Sequence, residues 1–528
     1  PVKFTLQRAS VIGRIFEERV LASLQRDDIS KLDVFLKELT RREFVRLKEE
    51  GEQTDREYFF KHAITHDVTY SSMLLARRKE LHKLVAEALE QLFPDRVEDL
   101  SATLGYHYKQ AEAHAQAADH LGRAATRARA TFANAEAIGF YRDALAEIDR
   151  ADDGAAGLSK NEAGARLNED LGDVLTLVGQ HDDGRASFDR ALSRLRAASA
   201  TSRSRLLRKI GHTHNWQRHY AEAAHYYDLA DDELSAQRDE ASTQWWEESF
   251  QIQLERMHLL YWQGKAPEMR ALASKHQSAI QQHGTPIQRS KFFLMQSLAL
   301  LTGSRYRPSE ECLGLAQRAV EASETSADLS ETPHIRFVLG LVNLFRGNFA
   351  DAIKHSGIAL ELARRCGDLV VEARCLTYLA VAHRRAGDLE KARTFAEETL
   401  ELATKIGMTE YVAMAKATLA WVAWKQKRQD DCEKLGNEAL ELWHEMDDPY
   451  SFDWMALWPL IATALEQKQI AHAIKLAEGL FPDSQHPIDE EVMAATKRAI
   501  DSWKNGDAPA AESQVREALQ TAERHHYI

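Results

Sequence analysis

Apolar residues recur with a helical period in the second half of the chain. One apolar stripe consists of Ile335, Val338, Leu339, Val342 and Phe345. This spacing places all of its members on one face of a helix. Gly347 predicts the end of that helix because glycine tolerates the left-handed backbone found there, and Asn348 is expected to cap the next helix. The pattern therefore predicts two helices joined by a tight turn.

The same pattern returns every forty residues. Leu339-Gly340 is followed at that interval by Leu379-Ala380. A second series keeps the same register: Leu360-Glu361-Leu362-Ala363, Leu400-Glu401-Leu402-Ala403 and Leu440-Glu441-Leu442-Trp443. Gly367, Gly407 and Asp447 share one offset between the repeats. A helix pair repeated at a fixed interval indicates a solenoid, in which each unit packs on its neighbours.

Weaker copies extend the array in both directions. Leu171-Gly172 matches Leu339-Gly340. Further turns are predicted at Gly179, Gly264, Gly303, Lys427 and Gly506. We expect about nine or ten helix pairs over residues 101–528, least regular between 230 and 335. The array resembles the tetratricopeptide repeat family, whose usual repeat is ~34 residues, and this resemblance implies an all-α, right-handed α-solenoid.

The first hundred residues have a different pattern. One predicted helical stripe contains Phe16, Val20 and Leu24, and the next contains Leu32, Phe35, Leu36 and Leu39. Residues 44–47 and 58–60 have the composition of two short strands, joined by a polar segment around Gly51. Helices followed by a two-stranded wing predict a winged helix-turn-helix. We therefore expect a winged-helix domain and a connecting helix over residues 1–100.

Charge argues against a nucleic-acid partner. The 528 residues carry a formal net charge of −13, whereas nucleic-acid binding requires clustered lysine and arginine. The second helix predicted for the winged domain, residues 28–40, carries Asp28, Asp33 and Glu38, which would repel phosphates. We expect no DNA binding. A protein or peptide partner in the groove of the solenoid is predicted instead, and a homo-oligomer is a further possibility.

Cysteine use and hydropathy bear on the location of the protein. Four cysteines, at positions 312, 366, 375 and 432, show neither the spacing of a zinc site nor the density of a disulfide framework. No signal peptide and no apolar run of about 18 residues is present in the sequence. We predict a soluble, cytoplasmic protein without membrane contact. Because the chain starts at Pro1 within a helical pattern, we also expect it to be part of a larger protein.

Several segments of the first hundred residues resemble a known family. They are Val11-Ile12-Gly13-Arg14, Phe60-Lys61-His62, and the following helix through Tyr70 and Arg77-Arg78. They resemble the winged-helix module of bacterial signal-transduction ATPases with numerous domains. Similar modules occur in the maltose-regulon activator and in AAA-like ATPases fused to class III adenylate or guanylate cyclases. The resemblance implies an upstream nucleotide-binding domain that holds ATP or ADP, then the winged helix, then a tetratricopeptide-like sensor.

No catalytic motif is found in the sequence. The phosphate-binding pattern GxxxxGK[ST] does not occur, so we expect no ATP hydrolysis, no cofactor and no enzymatic activity in this chain. Because the repeats continue to Ile528, we expect no C-terminal DNA-binding domain of the kind found in the transcription-factor relatives. A cyclase-like parent is therefore favoured over an ATP-dependent transcriptional regulator.

His62 is the candidate nucleotide sensor. In the resembling family, a histidine at the strand-to-helix junction contacts the phosphates of the bound nucleotide. Here Ala63 replaces the aspartate that follows this histidine in the family. The alternative is that His62 caps or packs against the following helix.

Four tryptophans are candidates for partner binding. Trp421 and Trp424 are three residues apart and Trp454 and Trp458 are four apart, so each pair can share a helix face. Tryptophan often anchors a partner peptide, but the alternative is packing between helices. A group of histidines (His212, His214, His219 and His225) surrounds Trp216. We expect no metal site there, because residues two apart on a helix do not share a face.

Together these observations predict a regulatory region. The repeat array would receive a protein or small ligand, and the winged helix would transmit that state to the upstream nucleotide-binding domain. A passive assembly scaffold is the competing interpretation, and the sensor region of a transcriptional regulator is another.

Overall fold

The computed structural model describes residues 1–25, 31–48, 56–152, 160–195, 200–237, 239, 242–325, 331–446 and 450–528. The chain forms two compact units. Unit 1 comprises Pro1–Leu175 and Asp183–Ala198, and unit 2 comprises Thr176–Asp182 and Ser199–Ile528. The predicted boundary at residue 100 is a different division of the chain and stays a prediction.

Unit 1 begins with a small mixed region and continues with helix pairs. Its helices and strands are α1 (Val2–Ile12), β1 (Ile15–Glu17), α2 (Glu18–Ser23), α3 (Leu32–Arg41), β2 (Val45–Leu47), β3 (Glu57–Phe60), α4 (Ala63–Ser71), α5 (Leu75–Leu92), α6 (Ser101–Gln110), α7 (His114–Ala130), α8 (Asn134–Arg150), α9 (Lys160–Leu177) and α10 (His181–Arg194), with a 3₁₀ turn at Pro94–Arg96. The strands form an antiparallel sheet in the order β1-β3-β2.

The predicted strands at 44–47 and 58–60 are present as β2 and β3, with Val45 opposite Phe60. The sequence pattern missed β1, because Phe16 was predicted to lie in a helix. A strand of three residues is too short for its alternation to be recognised. Phe16 is buried and stacks on Tyr58 of β3, with ring centroids 5.8 Å apart. The predicted helix around Asp28 and the segment around Gly51 lie partly or wholly outside the described residues.

Unit 2 is an array of helix pairs. Its helices are α11 (Ala200–Trp216), α12 (Tyr220–Ser235), α13 (Thr243–Trp262), α14 (Ala266–His283), α15 (Pro286–Gly303), α16 (Glu310–Glu324), α17 (Thr332–Phe345), α18 (Phe349–Cys366), α19 (Leu369–Arg385), α20 (Leu389–Ile406), α21 (Thr409–Lys425), α22 (Gln429–His444), α23 (Trp454–Glu466), α24 (Ile470–Glu478), α25 (Glu490–Lys504) and α26 (Ala508–Arg524). One hydrophobic core runs through this unit from Phe250 to Ile528. The predicted all-α, tetratricopeptide-like solenoid is confirmed.

The turns between paired helices follow the prediction in most places. Gly347, Gly387 and Gly506 have positive φ angles of 82°, 78° and 80°. Lys427 occupies the equivalent turn with φ of 60°. Among the glycines predicted to form turns, Gly303 is the exception, because it ends α15 without a left-handed conformation. Asp447 lies outside the described residues.

The predicted cap at Asn348 is wrong. The Asn348 side chain makes no capping bond to α18, and its Nδ2 instead donates to Asn343 Oδ1 at 3.3 Å. Asp388, one repeat later, does cap its helix, because its carboxylate accepts from the Lys391 backbone N–H at 3.2 Å. The two residue types share the position, but the buried amide of Asn343 draws the Asn348 side chain away from the helix end.

Gly340 allows α17 and α18 to approach closely. A Cβ added there would lie 2.4 Å from Ser356 Oγ and 3.0 Å from Ser356 N. We expect Gly340→Ala to destabilise the fold by about 1–3 kcal/mol through overpacking. Gly357→Ala on α18 is the control, because its added Cβ meets no atom within 4 Å, and it should stabilise the helix by about 0.5–1 kcal/mol. Urea denaturation measures both, and equal effects of the two changes would contradict the close contact.

The structure also bears on the predictions made from the cysteines and from hydropathy. All four cysteines are buried and free. Among the described residues, no helix has the length and apolar character needed to cross a bilayer.

Candidate functional site

The first helices of successive pairs in unit 2 line a cavity of about 260 Å³. Helices α13, α15, α17, α19 and α21 contribute side chains to its wall. Five phenols dominate this wall: Tyr261, Tyr306, Tyr378, Tyr411 and Tyr450. The rest of the wall is apolar at Phe337 and Phe452 and cationic at Arg218 and Arg374. An aromatic cavity with a few polar groups is typical of a ligand-binding site.

Arg374 of α19 is the most buried charge in this wall, with 3% of its surface exposed. Its Nε donates to Tyr411 Oη at 3.2 Å, and its Nη1 lies 3.4 Å from His334 Nε2. The guanidinium carbon also lies 4.8 Å from the ring centroids of both Trp216 and Trp262. Two cation–π contacts and two polar contacts therefore fix the position of this guanidinium.

The two indoles beside Arg374 are themselves held by histidines. Trp216 Nε1 donates to His212 Nε2 at 2.6 Å, and Trp262 Nε1 donates to His258 Nε2 at 3.2 Å. Because both rings are oriented by hydrogen bonds, the wall around Arg374 is preorganised.

Arg218 forms an ion pair in the same wall. Its Nη2 lies 3.0 Å from Glu410 Oε1, and its guanidinium carbon lies 5.1 Å from the Trp262 ring centroid. The charge of Arg218 is therefore balanced by a carboxylate.

Burial controls the protonation of the titratable groups in the wall. It raises the pKa of Tyr411 to about 12 and raises the pKa values of Tyr306 and Tyr378 well above the ordinary range. It also lowers the pKa of His258 to about 3 and the pKa of His334 well below its usual range. At neutral pH the phenols keep their O–H donors and these imidazoles are uncharged, so the site is equipped for binding a ligand.

His62 lies at the predicted junction between β3 and α4. Its backbone is extended, with φ −127° and ψ 133°, and its side chain is exposed. Its imidazole does not cap α4, although its carbonyl accepts from the Thr65 N–H at 3.1 Å. The side chain is thus placed on the surface, and its role as a nucleotide sensor stays a prediction.

The four predicted partner-binding tryptophans all lie inside the core of unit 2. Trp421, Trp424, Trp454 and Trp458 are at most 9% exposed, and none of them lines the cavity. Packing between helices, the alternative considered for them, fits their burial. Their role in partner binding gains no support from their position.

The histidines around Trp216 have different partners, although the rings of His214 and His219 lie near each other, with centroids 5.9 Å apart. His212 Nδ1 lies 2.8 Å from Glu255 Oε2, whereas His214 stacks on Tyr226. Asp489, Glu491 and His525 do lie within reach of one another, but Arg524 also binds Glu491 at 3.0 Å. We assign no metal to this group, because its carboxylates are not buried and one of them already pairs with Arg524.

Sequence reasoning missed Arg374 and the tyrosines around it. A signal was available in the forty-residue register, which places His334 and Arg374 at equivalent positions of consecutive repeats. A positive charge inside an otherwise apolar helix face marks an unusual position. The contribution of Tyr306 could not have been found this way, because this residue lies in the turn after α15.

Comparison with protein families supports the repeat assignment. The tetratricopeptide repeat model matches residues 331–405 and 374–445. No curated protein is significantly similar to the sequence.

Several solved structures resemble the chain weakly. A signal-transduction ATPase with numerous domains and a tetratricopeptide repeat sensor, from Pyrococcus horikoshii, is 14% identical, with 91% of this chain and 63% of that chain covered and a TM-score of 0.42. A Rap protein complexed with competence and sporulation factor is 12% identical, with 75% and 99% covered and a TM-score of 0.44. NprR in complex with its cognate peptide NprX is 12% identical, with 60% and 83% covered and a TM-score of 0.42. The fold assignment rests on the family model and the helix pairs.

Proposed function

We propose that this chain is the sensor and protein-interaction region of a multidomain signalling ATPase. In this proposal unit 2 receives a ligand in its aromatic cavity, and unit 1 contacts an upstream nucleotide-binding domain. The observation that carries the proposal is the cavity wall around Arg374, where hydrogen bonds and cation–π contacts hold a buried guanidinium in place. The described residues of this wall offer binding groups, and no catalytic activity is proposed for the chain.

Unit 1 carries an apolar surface that fits a contact with another domain. Within the short segment 64–75, Ile64, Val68, Leu74 and Leu75 are all between 59% and 81% exposed. Helix α4 has no buried residue at all. Exposed apolar side chains grouped in this way mark an interaction surface. His62 immediately precedes this segment, as a nucleotide sensor at such a contact would.

The order of elements in the first part of unit 1 supports the winged-helix interpretation. Helix, strand, helix, helix and two strands follow one another from α1 to β3. We do not propose DNA binding, because the cations of α3 lie beside carboxylates of the same helix. Lys37 pairs with Asp33 at 2.6 Å, and Arg41 pairs with Glu38 at 2.7 Å.

Signalling would follow from unequal ligand affinity for two states of the parent protein. A ligand that binds one arrangement better shifts the population towards that arrangement. If the ligand changes the affinity for nucleotide by some factor, bound nucleotide must change the affinity for the ligand by the same factor. By resemblance, ATP or ADP would occupy the upstream domain and a class III cyclase is the output favoured for the parent.

A thermal-shift screen of small molecules and short peptides tests the ligand-binding step. Thr302 lines the cavity, and its hydroxyl donates only to the Leu298 carbonyl of its own helix. Thr302→Phe should fill part of the cavity and abolish the thermal shift of genuine ligands. Thr394→Phe is the matched control, because Thr394 is exposed on α20 and makes the same kind of bond to Glu390. Ligands that act equally on both variants, or no ligand at all, would favour a passive scaffold.

A further inference from the structure

Arg374 is a buried cation that makes no hydrogen bond or ion pair with a carboxylate among the described residues. Its charge acts on Asp368 only through space, where it opposes the rise in the pKa of that carboxyl that burial causes. Its polar contacts are the Tyr411 hydroxyl and the His334 imidazole, both uncharged. A buried charge normally needs a counterion or a full set of hydrogen bonds. Nε and Nη1 make these two contacts, Nη2 has no hydrogen-bond partner in the described part of the chain, and the side chain lines the cavity.

The other buried arginines of unit 2 have structural partners. Arg384 donates to the backbone carbonyls of Met455 at 2.9 Å and of Ala417 and Tyr527 at 3.3 Å, so its donors join separate helices. Arg208 binds both carboxylate oxygens of Glu248. Arg374 differs from both because its free donor points to no such protein acceptor.

Among the described residues that line the cavity, Arg374 is the cation that has no carboxylate within ion-pairing distance. Arg218 is neutralised by Glu410 at 3.0 Å, and Arg305 at the rim has Asp483 at 3.9 Å. His258 and His334 are neutral because burial lowers their pKa values. One anionic group placed against Arg374 would balance the site.

The surrounding groups suit a carboxylate on an aromatic or unsaturated body. A guanidinium binds a carboxylate through parallel N–H donors, and the phenols of Tyr378 and Tyr411 offer further donors. Phe337 and Phe452 add apolar ring surface for a planar group. The volume of about 260 Å³ is near the lower end for small-ligand pockets, which favours a small molecule.

We infer that the cavity of unit 2 binds a small organic monoanion whose carboxylate pairs with Arg374. This inference rests on the proposed function, since it names the chemistry of the ligand that the sensor receives.

Isothermal titration of the full chain with benzoate and with benzamide tests the inference. The two probes have the same shape but differ in charge. Wild type should bind benzoate at least about tenfold more tightly than benzamide, and Arg374→Gln should lose at least about tenfold in benzoate affinity. Arg365→Gln on α18 is the control, because Arg365 is exposed and lies outside the cavity wall. It should leave the affinity unchanged.

A second variant protects the test against misfolding. Glu410→Gln removes the carboxylate that balances Arg218, so it should strengthen benzoate binding, which a damaged fold would not do. Absence of benzoate binding up to ~10 mM, equal binding of the two probes, or full binding by Arg374→Gln would each overturn the inference. An uncharged ligand that depends on Thr302 would then leave the proposed function standing, whereas no Thr302-dependent ligand of any charge would contradict both.

Discussion

Arg208→Met is expected to destabilise unit 2 by about 3–5 kcal/mol, because it leaves the buried Glu248 without its cation and leaves Glu255 with His212 as its ion-pair partner. Arg208 Nε lies 2.6 Å from Glu248 Oε1, and its Nη1 lies 3.9 Å from Glu255 Oε1. All three side chains are at most 10% exposed. Urea denaturation at neutral pH measures the loss.

The loss of unfolding free energy in Arg208→Met should depend on pH in a defined direction. Burial would raise the pKa of Glu255, but His212 and Arg208 reverse this effect and hold it below its usual range. In the wild type this carboxylate therefore stabilises the fold above the unfolded pKa of about 4.5, and the contribution is lost as the pH falls through the folded value. In Arg208→Met the charge of Arg208 no longer opposes the effect of burial on Glu255, so this carboxylate should take up a proton more readily. The difference in unfolding free energy between the variant and the wild type should therefore narrow from pH 7 to about pH 5.

Two controls isolate the buried ion pair. Arg208→Met combined with Glu248→Leu should recover part of the loss, because one unpaired charge is removed as well. Arg498→Met should change stability by no more than about 0.5 kcal/mol, because the Arg498–Glu517 pair is more than half exposed on the Arg498 side and the Glu517 side. A similar cost for both arginines, or a difference that widens in acid, would contradict this account.

Trp458→Ala is expected to cost about 3–5 kcal/mol of unfolding free energy, since it removes a large, fully buried side chain. Trp458 is 0% exposed on α23. The change should lower the urea midpoint and leave the affinity of a cavity ligand for the folded protein unchanged, because Trp458 does not line the cavity.

Trp503→Ala on α25 is the matched control for this prediction. Trp503 is only partly buried and packs at the edge of the core, so its removal should cost clearly less. If Trp458→Ala left the urea midpoint unchanged but abolished partner binding, the interpretation of Trp458 as core would be wrong and its predicted role in partner binding would be supported.

The repeat array was predictable because its signals are local and repeated. The stripe ending at Phe345 and the turn at Gly347 each follow from helix geometry, and the forty-residue register multiplies the evidence. The short strand β1 was not predictable in the same way, because its three residues pair with a strand 40 to 44 positions away. Asn348 shows a further limit, because its side chain bonds to Asn343 and does not cap α18, and only the fold reveals this contact.

The site was harder to predict than the fold. Sequence spacing could place Trp421 and Trp424 on a shared helix face, but it could not tell the core face from the cavity face. Arg374 gains its meaning from Trp216 and Trp262, which lie more than one hundred residues away in sequence and meet it only in the folded array.

A crystal structure of the full chain with a ligand from the thermal-shift screen tests the central claim most directly. We predict that the ligand lies in the cavity of unit 2 between Arg374 and the tyrosines, with an anionic group at the Arg374 guanidinium. A ligand bound elsewhere on the chain, with the cavity empty, would contradict the account of unit 2 as the sensor.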